Sequence, residues 1–382
     1  MSNGYKIGIV GSGNMGSGIA QQMAAQGLDV TLVDLNEAQV EQGMESITNR
    51  LQQAVDRNVI TSYKMQDTLK RIKSSTAYED LEDMDLIIEA IFEDKRLKGE
   101  LFRMLDGICD PKTILATNTA SLNVHELASW TFRPEKVIGM HYFFHPAKNS
   151  LLEVIPHVET SEETLKTVLL IGKRYAKTSI IVKDYSGFCV NRMFIPFCVS
   201  AVRVLEQKIA NIPTIEAACK KAFGIRTGPF ELMNRINMPI TALASRTLGI
   251  ELGSVYATPQ LLNIQIETHE GFDLSGEVDG TKIRTVMDYM YGALLGVACQ
   301  LVDEGVASIE DTDLGAKTGL AWEYGPFEIM NKLGIKKVYE CVSAMSNQFP
   351  DFKMPKLLLA HYVTEEPFEI NYAKPEVAEN VA

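Results

Sequence analysis

The feature that most constrains this chain is a glycine-rich turn between an apolar run and a helix-forming segment near its start. Residues 7–10 read Ile-Gly-Ile-Val, which is typical of a short buried parallel strand. Gly11, Gly13 and Gly16 then spell G-x-G-x-x-G where the strand would turn into a helix. The three glycines respectively permit a tight turn, close approach of the backbone to a pyrophosphate, and close helix–strand packing. The pattern predicts a dinucleotide-binding turn.

A carboxylate at the end of the next predicted strand supports this interpretation. The strand over residues 29–33 ends at Asp34, which lies 23 residues after Gly11. A carboxylate at about this distance hydrogen-bonds the adenosine ribose hydroxyls of a bound dinucleotide. Asp34 would also repel a 2′-phosphate, and no Arg follows it, so the sequence favours NAD over NADP.

The bulk composition is that of a globular protein. The chain has 382 residues, of which 46% are hydrophobic, enough for two or three domains. No run approaches 18 apolar residues, so we expect no membrane span. The first strand starts almost at once, and we expect no leader peptide. The net charge of −12 argues against nucleic acid or an anionic membrane surface as partner, although a local basic patch could still bind an anionic ligand.

The cysteines indicate a reducing compartment. Six cysteines are scattered through apolar helical patterns without C-x-x-C spacing. We interpret them as reduced core residues of a cytoplasmic protein, and we predict no metal site.

Strands and helices alternate through the first half of the chain. This order predicts an α/β domain with a doubly wound parallel sheet over residues 1–184. Ligands of such sheets bind beyond the carboxyl ends of the strands. Glu93, residues 118–121 and His141 each follow a predicted strand, so we expect them to meet in one crevice. One long helix is predicted from about residue 36 to residue 71.

The second half is helical and contains an internal repeat. Gly-Pro-Phe-Glu-Leu-Met-Asn from Gly228 recurs from Gly325 with six of seven residues identical, at an offset of 97. We predict an all-α domain of two repeated units, over residues 185–280 and 281–382. Each copy would cover the other, so the chain would be a pseudo-dimer that is monomeric or weakly homo-oligomeric.

A histidine and a carboxylate form the candidate catalytic pair. His141 follows one predicted strand and Glu153 lies on the next. A neutral imidazole can take the proton from a hydroxyl, and a carboxylate behind it fixes the tautomer. A structural role for His141 remains open, and His145 is a competing candidate base. Arg50 and Arg57 share a helix face that is either a solvated charged surface or a phosphate site.

Six motifs together resemble the short-chain L-3-hydroxyacyl-CoA dehydrogenase family over nearly the whole chain. They are Gly-Ser-Gly-Asn-Met-Gly-Ser-Gly-Ile-Ala from Gly11, Glu-Ala-Ile-Phe-Glu from Glu89, Asn-Thr-Ala-Ser-Leu from Asn118, Gly-Met-His from Gly139, Leu-Glu-Val-Ile from Leu152 and Gly-Phe-Cys-Val-Asn-Arg from Gly187. The resemblance implies a Rossmann-type domain and NAD-dependent oxidation of an L-3-hydroxyacyl-CoA to a 3-oxoacyl-CoA, as in β-oxidation. The doubled helical unit resembles the dehydrogenase part of multifunctional fatty-acid oxidation enzymes.

The resemblance also assigns roles to individual residues. It implies that His141 and Glu153 are the catalytic pair and that Asn191 contacts the substrate. The second helical copy has Asp288 at the position of Asn191, so this copy would be structural. Ser121, Arg50 and Arg57 would also bind substrate, the two arginines through the CoA phosphates. The residues expected to contact NAD are Gly11, Gly13, Asn14, Met15, Gly16, Asp34, Glu93, Lys98 and His145.

Two departures from the family pattern lie at the reacting centre. The family reads Asn-Thr-Ser-Ser, and its first Ser bonds the substrate's 3-oxygen, whereas this chain has Ala120 there. The family's His-Phe-Phe-Asn-Pro is replaced by His-Tyr-Phe-Phe-His-Pro, which puts His145 in place of an Asn near the nicotinamide. Two alternatives follow: the same fold acting on another hydroxy acid or an unusual acyl-CoA, or a non-catalytic protein that binds NAD or acyl-CoA.

Overall fold

The computed structural model describes residues 4–236 and 238–372. The chain divides into two compact units, the first ending at Asp184 and the second beginning at Tyr185. Each unit is described on its own.

The first unit contains an eight-stranded sheet with the strand order β3-β2-β1-β4-β5-β6-β7-β8. Alternate residues of the central strands, such as Ile7 and Ile9 of β1, enter one apolar core with α1. The predicted Rossmann-type α/β domain is confirmed. The strands are β1 (Lys6–Val10), β2 (Asp29–Val33), β3 (Ile72–Ser75), β4 (Leu86–Glu89), β5 (Ile114–Thr117), β6 (Val137–Tyr142), β7 (Leu151–Ile155) and β8 (Thr178–Ile181).

The predicted sheet was all parallel, and this is wrong for one pair of strands. Strand β7 runs antiparallel to β6, whereas the other neighbours are parallel. Only residues 143–150 connect β6 to β7. A parallel connection needs about a dozen residues or more, so this short loop makes a hairpin instead. Lys177 fixes the loop, since its Nζ donates to the carbonyl oxygens of Pro146 at 2.7 Å and Asn149 at 2.6 Å.

The long helix expected after Asp34 is wrong in extent, because the structure has two helices there. The first ends at Asp56, and Asn58 then takes a left-handed backbone conformation with φ of 56°. Thr61 caps the next helix by accepting the N–H of Lys64 at 3.1 Å. The α-helices of this unit are α1 (Asn14–Ala25), α2 (Glu37–Asp56), α3 (Ser62–Lys70), α4 (Lys95–Ile108), α5 (Val124–Ala128) and α6 (Glu162–Arg174).

Within the described residues of the second unit, all regular secondary structure is helical, and loops join the helices. Its helices are α7 (Val190–Glu206), α8 (Ile212–Phe223), α9 (Pro229–Arg235), α10 (Met238–Leu252), α11 (Gln260–Glu267), α12 (Ile283–Asp303), α13 (Ile309–Gly319), α14 (Pro326–Leu333), α15 (Ile335–Gln348) and α16 (Lys356–Thr364). The predicted helix-rich second half is confirmed.

Equivalent positions of the sequence repeat make equivalent contacts. The Asn234 side chain makes two hydrogen bonds to the backbone of Phe272. Its Nδ2 donates to the Phe272 carbonyl oxygen at 2.8 Å, and its Oδ1 accepts the Phe272 N–H at 2.7 Å. Asn331 makes the same two hydrogen bonds to the backbone of Phe368, from Nδ2 to the carbonyl oxygen at 2.9 Å and from the Phe368 N–H to Oδ1 at 2.8 Å. Side-chain amides are suited to this because they both donate and accept.

Helix α12 is long and apolar enough to cross a membrane by length and composition alone. Its most apolar window is 67% buried inside the structure, as in the core helix of a globular domain. The helix is therefore weak evidence for a membrane span.

Candidate active site

The glycine-rich turn has the geometry that a bound dinucleotide requires. Gly11 has φ of +100°, and a Cβ there would lie 2.5 Å from the carbonyl oxygen of Ala90. A Cβ on Gly16 would lie 1.7 Å from the carbonyl oxygen of Gly11. A Cβ on Gly13, the N-cap of α1, would meet nothing within 4 Å, and Gly13 supplies no side-chain cap. This leaves an open cradle over the positive end of a helix dipole, which suits a pyrophosphate.

Asp34 lies beside this turn. Its Oδ2 accepts the Ser12 N–H at 2.6 Å and the Ser12 hydroxyl at 2.7 Å, and its Oδ1 accepts the Leu35 N–H at 2.7 Å. The carboxylate thus ties the end of β2 to the glycine-rich turn. Asn14 and Met15 are the first two residues of α1; the Asn14 side chain is exposed, and Met15 packs partly against the core.

His141 and Glu153 form a buried pair across the β6–β7 hairpin. Their Cα atoms are direct partners in the antiparallel register, which places both side chains on one face of the sheet. His141 Nδ1 lies 2.6 Å from Glu153 Oε2, and the two residues are 6% and 0% exposed. Because an ionised carboxylate only accepts hydrogen bonds, Nδ1 carries the proton in this pair. His141 belongs to β6 itself, not to the loop in which the sequence placed it.

Glu93 organises the loop after β5. Its Oε1 accepts the hydroxyl of Thr119 at 2.5 Å, the hydroxyl of Ser121 at 2.9 Å, and the N–H groups of Ala120 and Ser121 at 3.1 and 3.2 Å. Its Oε2 lies 3.0 Å from Lys98 Nζ. Burial alone would raise the pKa of the Glu93 carboxyl, but Lys98 and the hydroxyl donors lower it below its ordinary value. Glu93 is therefore held as an anion, and residues 119–121 are arranged around it.

Lys98 is buried between two carboxylates. Its side chain is 1% exposed, and its Nζ lies 2.7 Å from Oε1 of the fully buried Glu89. Glu89 Oε2 also accepts the hydroxyl of Thr117 at 2.7 Å. Burial raises the pKa of Glu89, with Lys98 acting in the opposite direction. Lys98 therefore acts on the crevice through Glu93 and fixes the end of β4.

The structure brings together Glu93 and Ser121, two of the residues expected to meet in one crevice, and places Lys98 beside Glu93. Asn118 joins neighbouring strand ends, since its Oδ1 accepts the Tyr142 N–H at 2.9 Å. Sequence reasoning missed Glu89 as a site-supporting residue. The signal was available, because a carboxylate at the end of an apolar strand requires a buried partner.

Known families match almost the whole chain. Residues 6–185 match the model of the 3-hydroxyacyl-CoA dehydrogenase, NAD binding domain. Residues 187–270 and 286–371 match the model of the 3-hydroxyacyl-CoA dehydrogenase, C-terminal domain. The chain belongs to the 3-hydroxyacyl-CoA dehydrogenase family.

Individual relatives agree with this assignment. The chain is 37% identical over 253 residues to a 3-hydroxybutyryl-CoA dehydrogenase of Clostridioides difficile, covering 66% of this chain and 90% of that protein. It is 30% identical over 373 residues to the fatty acid oxidation complex subunit alpha of Vibrio cholerae, covering 90% of this chain and 52% of the relative. The chain thus spans about half the length of that relative.

A solved structure shares the fold over the whole length. The crystal structure of 3-hydroxybutyryl-CoA dehydrogenase from Escherichia coli K12 superposes with a TM-score of 0.88. The match covers 96% of this chain and all of that chain, at 21% sequence identity. The likeness shows that the two chains share the same fold, an α/β domain followed by a helical domain.

His145, which the sequence placed near the nicotinamide, packs against the glycine-rich helix. A Cβ on Gly18 of α1 would lie 3.1 Å from His145 Cε1, and His145 Nδ1 accepts the Ala147 N–H at 3.2 Å. Burial lowers the pKa of His145 to about 4, and the positive charges of Arg50, Lys148 and Lys177 contribute in the same direction. His145 is therefore neutral at neutral pH and a weak base.

The two arginines expected at the CoA phosphates differ in environment. The guanidinium of Arg50 lies against α1, donating to Gln21 Oε1 at 2.8 Å and to Ser17 Oγ at 3.1 Å. Burial lowers the pKa of Arg50. Arg57 follows the last residue of α2 and is exposed. Arg57 is the more accessible of the two to an anion.

Asn191 lies in the second unit, as the second residue of α7, and is partly buried. The next residue, Arg192, is 1% exposed; its Nε donates to the Tyr256 hydroxyl at 3.2 Å, and it pairs with Glu304 at 2.5 Å. This ion pair fixes the start of α7. Asp288, the counterpart of Asn191 in the repeat, instead pairs with Lys337 at 2.8 Å.

Proposed function

We propose that this protein oxidises an L-3-hydroxyacyl-CoA to the 3-oxoacyl-CoA with NAD, as in β-oxidation. The observation that carries the proposal is the buried hydrogen bond of 2.6 Å between His141 and Glu153. A proton-transfer pair of this kind, in a chain with an NAD-binding turn, suits alcohol–ketone interconversion. Family membership and the names of the relatives support the acyl-CoA substrate.

The chain's own residues handle the proton. Glu153 accepts a hydrogen bond from the Nδ1–H of His141. The other ring nitrogen, Nε2, therefore carries the lone pair and would take the proton from the substrate hydroxyl. The negative charge of Glu153 stabilises the imidazolium as it forms, and the same pair returns the proton in the reverse direction. Bound NAD would accept the hydride from the carbinol carbon.

Other residues would position the reactants. The cradle over α1 and Asp34 would hold the pyrophosphate and the adenosine ribose of NAD, and Glu93 with Lys98 would border the nicotinamide end. His145 would lie beside the same cofactor. Ser121 and Asn191 would contact the substrate's oxygens. Arg50 and Arg57 would attract the CoA phosphates.

The direct test mixes the purified protein with NADH and acetoacetyl-CoA. We expect stoichiometric loss of the near-ultraviolet absorbance of NADH as the 3-oxo group is reduced. NADPH should be a much poorer donor, because Asp34 repels a 2′-phosphate. Absence of turnover, with NADH binding demonstrated by its fluorescence, would contradict the proposal.

Ala120 motivates a second candidate, the same chemistry on another hydroxy acid or an unusual acyl-CoA. Loss of one transition-state hydrogen bond costs about 2–4 kcal/mol, and the remaining Ser121 hydroxyl donates to Glu93 at 2.9 Å. If the substrate is a simple 3-hydroxyacyl-CoA, Ala120→Ser should increase kcat/KM. Faster turnover of bulkier or non-thioester substrates by the unchanged protein would favour this candidate instead. Tight binding of NADH and acyl-CoA without any turnover would indicate a non-catalytic binding protein.

Replacing Asp34 with alanine should weaken NAD binding by about 10–100-fold. A hydrogen bond to a charged group contributes about 1.5–3 kcal/mol, and the variant also loses the anchor of the glycine-rich turn at Ser12. NADH fluorescence titration measures the change. Glu37→Ala, at the exposed start of α2, is the control and should leave affinity within a factor of two or so. Equal affinities of both variants would remove Asp34 from the cofactor site.

We also propose that the protein is cytoplasmic and monomeric or weakly homo-oligomeric. The six cysteines are buried thiols that form no disulfide, which suits a reducing compartment. The repeated contacts of Asn234 and Asn331 support an internal pseudo-dimer.

A further inference from the structure

A cluster of two histidines and one glutamate lies in the first unit, away from the catalytic pair. His125 is in the first turn of α5, and His157 and Glu159 lie in the segment after β7. His125 Nδ1 lies 3.4 Å from His157 Nδ1 and 3.5 Å from Glu159 Oε1. One ligand atom of each residue lies within 4.8 Å of the other two.

The tautomer of the buried histidine presents a lone pair to this cluster. His157 is 6% exposed, and its Nε2 lies 3.0 Å from the carbonyl oxygen of Pro134. A carbonyl only accepts, so Nε2 carries the hydrogen and Nδ1 carries the lone pair of the neutral ring. The Glu159 N–H donates to the same Nδ1 at 3.3 Å, which agrees with this assignment, and a bound ion would take the place of this long contact. Ligating histidines are typically held in this way, with the other ring nitrogen donating to a carbonyl.

The distances within the cluster are those of a metal's coordination shell. Zn–N bonds of about 2.0–2.1 Å at tetrahedral angles separate two ligand atoms by about 3.3–3.4 Å. The two measured separations from His125 Nδ1, 3.4 and 3.5 Å, are close to this value. The Glu159 side chain is 52% exposed and can rotate to shorten the third separation.

Asp184 stabilises the start of α5, the helix that carries His125. Asp184 accepts the main-chain N–H groups of Val124 and His125 at 3.0 and 2.9 Å. These bonds fix the start of α5 and hence the position of the His125 backbone.

We propose that His125, His157 and Glu159 bind one Zn²⁺ ion, with the fourth position open to water. Two imidazoles and one carboxylate are a donor set that Zn²⁺ prefers. The site would connect α5 to the segment after β7. His157 contacts Pro134, just before the start of β6, whereas His141 lies near the end of that strand, so the metal would be separate from the proton-transfer pair. We predicted no metal site from the sequence, and the 32 residues between the two histidines form no local ligand motif.

The test titrates tag-free full-length protein with Co²⁺, whose visible absorption reports tetrahedral coordination. We expect saturation at one equivalent and displacement of the band by Zn²⁺. The six cysteines are buried, so no exposed thiol competes for the metal in the folded protein. The melting temperature should rise in the presence of Zn²⁺.

Single substitutions test whether these residues bind the ion. His125→Asn, at a side chain that is 46% exposed, should weaken Co²⁺ binding by more than about 100-fold, since loss of an outer-shell partner alone costs about 10–100-fold. Glu159→Gln should weaken binding as well. His361→Asn, at a partly exposed histidine of α16, is the control and should bind like the unchanged protein. Unchanged Co²⁺ affinity in folded His125→Asn protein, or no saturable binding by the unchanged protein, would overturn the proposal.

Discussion

Replacing His141 with alanine is expected to lower kcat by about 10²–10⁴-fold, the usual contribution of a positioned general acid–base. The variant keeps the glycine-rich turn and Asp34, so NADH affinity should stay close to that of the unchanged protein. Steady-state kinetics with acetoacetyl-CoA and NADH, together with NADH fluorescence titration, separates the two quantities. Glu153→Gln should also reduce kcat, because it keeps a hydrogen-bonding side chain at the position but removes the charge that stabilises the imidazolium.

His145 provides the control, since it is the other histidine that the sequence offers as a base. Burial lowers its pKa to about 4, so its neutral imidazole has little tendency to take a proton at neutral pH. We expect His145→Ala to change kcat by less than about 10-fold, with any effect appearing in the KM for NAD. Full turnover by His141→Ala, or equal losses in the two variants, would contradict the assignment of His141.

Replacing Lys98 with methionine is expected to reduce the free energy of unfolding by about 3–5 kcal/mol. The substitution keeps the apolar volume but leaves the fully buried Glu89 carboxylate without its cation, 2.7 Å away. Protonation of Glu89 would remove the buried charge, and burial raises its pKa. The loss of stability should therefore be smallest at acidic pH and grow as the pH rises. Urea unfolding of Lys98→Met and of the unchanged protein at several pH values measures this difference in the free energy of unfolding.

Lys95→Met is the matched control on the same helix. Lys95 pairs with Glu126 at 2.7 Å, but both side chains are about half exposed, at 52% and 51%. Such surface pairs contribute about 0–1 kcal/mol. The double variant Lys98→Met with Glu89→Gln should recover part of the loss, since the fully buried charge is removed and only the partly exposed Glu93 loses its cation. A loss below about 1 kcal/mol in Lys98→Met would contradict the buried-pair interpretation.

The parts of the fold set by local pattern could be predicted from the sequence. The glycine-rich turn, the strand before it and the helix after it follow from steric needs within some twenty residues. The short strands β3 and β8 were not predicted. Strand β3 reads Ile-Lys-Ser-Ser, and its place depends on pairing with β2, which no local periodicity shows.

The parts of the site that depend on long-range pairing were only partly predictable. The sequence separation of His141 and Glu153 suggested a pair, but not that both lie on strands facing each other. The direction of the Arg50 side chain depends on Gln21 and Ser17 of another helix, so helical spacing with Arg57 could not reveal it. Lys98 was expected at the cofactor itself. Glu89, Glu93 and Lys98 are close in sequence, but the turn from β4 into α4 that buries Lys98 between the two carboxylates follows neither a helical nor a strand period.

The short hairpin between β6 and β7 has a consequence for how this fold could diversify. The pairing of His141 with Glu153 depends on the hydrogen-bonded register of the two strands, whereas the loop between the strands is held separately by Lys177. Loop and strands can therefore change independently. Residues 143–150 could be exchanged to reshape their surroundings while His141 and Glu153 keep their alignment. A shift by one residue within either strand would instead turn one partner to the opposite face of the sheet and abolish the pair.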